Sequence, residues 1–73
     1  MTDSQKKIYD IIKDFMKNNG YAPTVREIGE IAGLKSSQTV FTHLTNLENK
    51  GFITYEKNKS RTIRILKWNI MEQ

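Results

Sequence analysis

Between Gly20 and Ser36 the chain writes the end of one helix, the whole of a second and the start of a third. Gly20 is placed to close a preceding helix in the left-handed region. Proline pushes the residue before it out of helical geometry, so Tyr21-Ala22-Pro23 reads as an extended link. Thr24-Val25-Arg26-Glu27 then has the form of a capping box, with threonine as the cap and glutamate three residues on. Val25, Ile28, Ile31 and Ala32 follow at helical spacing, and Gly33 ends the run. Leu34 can drop into a core, and Ser36 can cap a third helix over about residues 37–49, stopped by Gly51. A short helix, a three- or four-residue turn opened by glycine, and a second helix make a helix-turn-helix.

The flanks complete the architecture. From Thr2 to Asn19 the apolar residues Ile8, Ile11, Ile12, Phe15 and Met16 form one helical stripe, and Thr2 with Gln5 repeats the capping-box pattern. After Gly51 the period becomes alternating. Phe52-Ile53-Thr54-Tyr55 and Thr62-Ile63-Arg64-Ile65-Leu66 read as strands around a polar, basic segment, Glu56–Arg61. Helix, short strand, helix, helix and hairpin is the order of a winged helix. The expected fold is mainly α with a small β-hairpin wing: three helices plus two or three short antiparallel strands. Residues 1–66 form the domain and 67–73 a tail. In that tail Trp68, Ile70 and Met71 could cover the sheet, pair with a second subunit or be partly disordered.

Several function classes drop out. With 73 residues there is room for one domain, near the lower size at which a core holds without staples. The chain has no cysteine and a single histidine, His43, so neither disulfides nor a structural zinc site are available. Apolar runs are short and broken by charge, and no secretory leader pattern opens the chain. There is no phosphate-cradling glycine loop and no nucleophile–histidine–acid set. A soluble, cytoplasmic protein without enzyme activity, cofactor, metal or small-molecule substrate is the expectation, with no membrane partner. His43 reads as a packing or hydrogen-bonding residue at the inner edge of the third helix.

Charge is unevenly distributed. Residues 1–34 balance Lys6, Lys7, Lys13, Lys17 and Arg26 against Asp3, Asp10, Asp14, Glu27 and Glu30. The net charge of +4 therefore lies wholly in residues 35–73. Charge alone does not choose between a solvated basic surface and one that faces a polyanion. The third helix is more telling. At about 100° per residue, Val40, Leu44 and Leu47 form a narrow core stripe, and Gln38, Thr39, Thr42, Thr45, Asn46 and Asn49 lie opposite. Thr and Asn propagate helices less well than the Glu, Lys and Arg of an ordinary solvent face, by a few tenths of a kcal/mol each, roughly. They are, however, the groups that read base edges: Gln and Asn pair with adenine, and Thr methyls meet the thymine methyl.

Double-stranded DNA is accordingly the expected partner, with Ser37, Gln38, Thr39, Phe41 and Thr42 contacting bases. Phe41 sits at the edge of the core stripe, either packing or presenting its ring to thymine methyls. Phosphate contacts are expected to flank the reading helix: Thr24 and Arg26 at the second helix, Lys35 in the turn, Ser36 and Lys50 at the ends of the third helix, and Lys57, Lys59 and Arg61 on the wing.

The residues also resemble a known family. Gly20-Tyr21-Ala22-Pro23-Thr24-Val25-Arg26-Glu27-Ile28-Gly29 is similar to the opening of the second helix in the LexA repressor family. Gly33 to Val40, His43-Leu44, Leu47 to Ile53 and Arg61 to Leu66 continue the similarity without a gap, from about Thr2 to Leu66. The resemblance implies an operator-binding repressor of the DNA-damage response, acting as a homodimer on a palindromic site, with Ser36, Ser37, Gln38, Thr39, Phe41 and Thr42 at contacting positions. The family's self-cleaving Ser–Lys protease half has no counterpart here, and Phe41 is an unusual recognition-helix residue, so the operator need not be the family's. The segment Lys67–Gln73 lies outside the resemblance and favours a stand-alone relative over an excised domain. The other reading is a protein-interaction winged helix that modulates another repressor, with Trp68–Met71 as its contact surface.

Overall fold

A computed structural model of the chain describes residues 2–66, and the tail expected at 67–73 lies outside them. Three helices, α1 (Asp3–Asn19), α2 (Val25–Ala32) and α3 (Ser37–Asn49), precede a two-stranded antiparallel sheet of β1 (Ile53–Thr54) and β2 (Arg64–Ile65). This is the expected mainly helical fold with a hairpin, consistent with a winged helix.

Each helix begins where its cap dictates. Thr2 and Thr24 accept the backbone N–H of Gln5 and Glu27, and those side chains accept the cap N–H in return. Such caps contribute about 0.5–2 kcal/mol each. Ser36 caps α3 by accepting the N–H of Gln38 at 3.2 Å. The stops are equally local. Gly33 takes φ 75° after α2, and Leu34 N–H returns to the Gly29 carbonyl at 2.8 Å. Gly51, at φ 82°, repeats the device after α3, with Phe52 N–H bonded to Leu47 O at 3.0 Å. Both are Schellman closures, which need a left-handed residue that glycine supplies without Cβ strain.

The core gathers Ile8, Tyr9 and Ile12 from α1, Ala22 from the link, Ile28 from α2, Val40, Leu44 and Leu47 from α3, and Ile53 and Ile63 from the hairpin. Tyr9 is fully buried, edge-on to Phe52 at 5.5 Å, and Ile31, read as part of the α2 stripe, is 55% exposed. Gly29 brings α2 and α3 together: a Cβ there would lie 3.3 Å from the Leu34 carbonyl oxygen and 3.4 Å from a Val40 methyl.

The hairpin is shorter than its alternation predicts. Ile53 pairs with Ile65 and Thr54 with Arg64. Beyond that the Thr62 hydroxyl accepts Glu56 N–H at 2.8 Å and lies 3.1 Å from the Glu56 carbonyl. A side chain thus takes the place of the next ladder bonds. Residues 21–23 do not pair as a strand with any described residue, although Ala22 and Pro23 are buried.

Candidate nucleic-acid interface

α3 presents two unlike faces. Val40, Leu44 and Leu47 are fully buried. Ser37, Gln38, Thr39, Thr42 and Thr45 stand exposed, with Phe41 and Asn46 half-buried beside them. No acidic residue occupies the first turn of α3, so its free N–H groups and the helix dipole leave an anion unopposed there. The Thr42 hydroxyl donates to the Gln38 carbonyl at 3.0 Å. A hydroxyl carries one hydrogen, so Thr42 faces outward as an acceptor and a methyl group.

Phe41 has a support that spacing along α3 cannot reveal. Its ring stacks on Tyr55, just past β1, with centroids 6.4 Å apart and planes inclined by 28°. The Lys57 ammonium stands 5.9 Å from the Phe41 centroid. Between helix and wing lies a groove of about 180 Å³ lined by Gln38, Phe41, Thr42, Thr45, Asn46 and Lys57. A second, open groove of about 500 Å³ runs between α2 and the start of α3, with Arg26, Lys35, Ser36 and Ser37 among its lining groups.

The candidate phosphate ligands divide into two sets. Arg26, Lys35, Lys57 and Lys59 are exposed. Arg26 lies 3.7 Å from Glu30 and Lys59 3.7 Å from Glu56, all four side chains more than two-thirds exposed; such pairs contribute little and yield readily to a stronger anion. Thr24 accepts Glu27 N–H at 3.0 Å through its hydroxyl oxygen, which leaves its own hydrogen to donate. Lys50 and Arg61, also exposed, make shorter bonds to distant parts of the molecule. Lys50 Nζ donates to Gln5 Oε1 at 3.1 Å, joining the end of α3 to the start of α1.

Arg61 makes a bidentate bridge to Glu27, both contacts 3.0 Å, and donates to the Ala22 carbonyl at 2.9 Å. Its guanidinium also lies 4.7 Å over the Tyr21 ring, which meets Phe15 edge-on at 5.7 Å. Hydrogen bonds from Arg61 foremost, then from Thr24 N–H, hold the Glu27 carboxyl below its ordinary value of 4.5. The same bridge raises Arg61. Sequence reading gives Glu27 as a cap and Tyr21 and Tyr55 as link and strand residues, with no contact to this site; the partners stand too far along the chain for any local pattern to show.

His43 is half-buried, and its Nδ1 is buried with no hydrogen-bond partner among the described residues. It lines a small pocket with Ser4, Lys7, Ile8, Ala32 and Leu34. The described residues hold no cluster of His, Asp or Glu able to bind a metal, and none of their helices is long and apolar enough to cross a membrane.

Comparison with known proteins bears on this face. Residues 1–62 match the family model of the LexA DNA binding domain. Over 66 residues the chain is 50% identical to a LexA repressor of Staphylococcus epidermidis and 52% identical to one of an Exiguobacterium species. A LexA repressor of Staphylococcus aureus is 48% identical over the same length. In each case the match covers 90% of this chain and 32% of the relative, so the chain spans about a third of the proteins it resembles.

Proposed function

This chain belongs to the LexA DNA binding domain family, and from that premise we propose that it binds duplex DNA sequence-specifically as a transcriptional repressor, with α3 in the major groove. One observation carries the reading: an outward face of α3 built from uncharged hydrogen-bonding groups, flanked by exposed cations on α2, the turn and the wing. Base edges are read by groups of that kind, and cations around them fix register through phosphates. Ser37, Gln38, Thr39, Phe41 and Thr42 read bases. Thr24, Arg26, Lys35, Ser36, Lys57 and Lys59 hold phosphates. Lys50 and Arg61 serve the interface through the fold, by the bonds they make to Gln5 and Glu27.

One domain reaches one half-site, so two copies occupy a palindrome, and the operator class is that of the DNA-damage response. The test is a titration into a labelled duplex carrying an operator palindrome of a LexA repressor, against a scrambled duplex, at two salt concentrations. Tighter binding to the palindrome at both salts is expected. Equal affinity for the two duplexes, or none for either, refutes sequence-specific recognition and directs the search to a protein partner.

A further inference from the structure

We propose that Phe41 reads the 5-methyl group of thymine, so that the second turn of α3 selects an A·T pair. The proposal rests on α3 lying in the major groove and names what it reads there.

Three observations converge. α3 contains no arginine or lysine, so the commonest reader of guanine, a cationic side chain on O6 and N7, is missing from the helix. Among the described residues Phe41 is the only apolar side chain lining the groove between α3 and the wing; the others there are Gln38, Thr42, Thr45, Asn46 and Lys57. Among base edges in the major groove, the thymine methyl is the one apolar group. Finally, Thr42 has placed its hydrogen on the Gln38 carbonyl. It therefore turns an acceptor and its methyl group outward, and the methyl can add a second contact to a thymine methyl.

The ring is also held ready. Tyr55 stacks against it and the Lys57 ammonium stands 5.9 Å from its centroid, so little side-chain freedom remains to be lost on binding. Gln38, three residues earlier on the same helix and lining the same groove, offers the two-pronged amide that suits adenine. Methyl reader and amide reader together describe an A·T step.

The experiment selects binders from a randomised duplex pool, amplified in parallel with thymidine or with deoxyuridine triphosphate. The thymine pool should become enriched in A·T pairs at a defined half-site position. Replacing that thymine by uracil should weaken binding about four-fold, the value of one buried methyl group, and Phe41→Ala should bind both duplexes equally. Phe41→Leu preserves bulk against Tyr55 and should shrink the difference while keeping the wild-type melting profile, which separates reading from folding. Equal affinity for thymine and uracil duplexes in an otherwise enriched selection overturns the methyl contact and leaves sequence-specific binding standing. A thymine preference that survives Phe41→Ala also overturns it. Failure of either pool to enrich overturns the methyl contact and the DNA-reading function together.

Discussion

Six cationic side chains are candidates to hold phosphates around α3: Arg26, Lys35, Lys50, Lys57, Lys59 and Arg61. We set two of these aside as internal, because Arg61 is bonded to Glu27 and Ala22 and Lys50 to Gln5. Each phosphate neutralised contributes about 0.9 to the slope of log affinity against log salt. The remaining four predict a slope of about −3.6 for one domain and about −7 for two domains on a palindrome. For one domain, raising salt from roughly 50 to 200 mM should cost about 150-fold in affinity. Lys57→Ala should make the slope shallower by about 0.9, so the wild-type advantage shrinks roughly 3.5-fold over that range. Lys50→Ala should run parallel to wild type. Fluorescence anisotropy with one labelled duplex across a potassium chloride series measures all three lines. The reasoning fails if Lys57→Ala runs parallel to wild type, or if Lys50→Ala flattens the slope as much as Lys57→Ala does.

Arg61→Ala should flatten that slope by about 1.8, twice the effect of one lost contact, because releasing the wing displaces Lys57 and Lys59 together; a change of about 0.9 would instead mean a direct phosphate contact. Glu27→Gln retains an oxygen for Thr24 N–H but loses the charge that Arg61 grips. Since the Glu27 carboxyl is held below 4.5 in the fold, its contribution is present above that value and lost as pH falls through the lowered one, so wild-type and Glu27→Gln melting temperatures should differ near neutrality and draw together in acid; an offset that stays constant at every acid pH where both proteins still fold contradicts the linkage. Gly29→Val should destabilise the domain by about 1–3 kcal/mol in urea melts, because Cβ already lies 3.3 Å from the Leu34 carbonyl before the extra methyls are added. Unchanged stability would mean that α2 and α3 can part without cost.

What the sequence made legible was whatever is decided locally. The helix starts at Thr2, Thr24 and Ser36, and the stops at Gly33 and Gly51, are settled within a few residues by capping hydrogen bonds and a left-handed φ. The outward face of α3 was legible for the same reason, since helical period alone sets Val40, Leu44 and Leu47 against Gln38, Thr42 and Thr45. Strand length was misjudged because alternation counts side chains and cannot see that the Thr62 hydroxyl replaces the ladder at Glu56. Ile31 has the spacing of a core residue, yet among the described residues it stands 55% exposed. Long-range pairs were the least visible. Phe41 meets Tyr55 and Arg61 meets Glu27 only once the wing folds back onto the helices, and a basic residue on a wing looks the same in sequence whether it faces phosphate or a carboxylate.

The Arg61–Glu27 bridge shows why that distinction matters for the interface. Arg61 sits at φ 58°, a left-handed conformation that a non-glycine residue adopts only when its surroundings hold it there. What holds it is the Ala22 carbonyl, the Tyr21 ring and both oxygens of Glu27. Glu27 is at the same time the residue that closes the cap of α2. One carboxylate therefore fixes the start of α2 and, through a single guanidinium, the turn from which β2 departs. If the wing faces DNA as proposed, an arginine freed from Glu27 would add one phosphate contact while releasing the turn before β2 from the bridge that holds it.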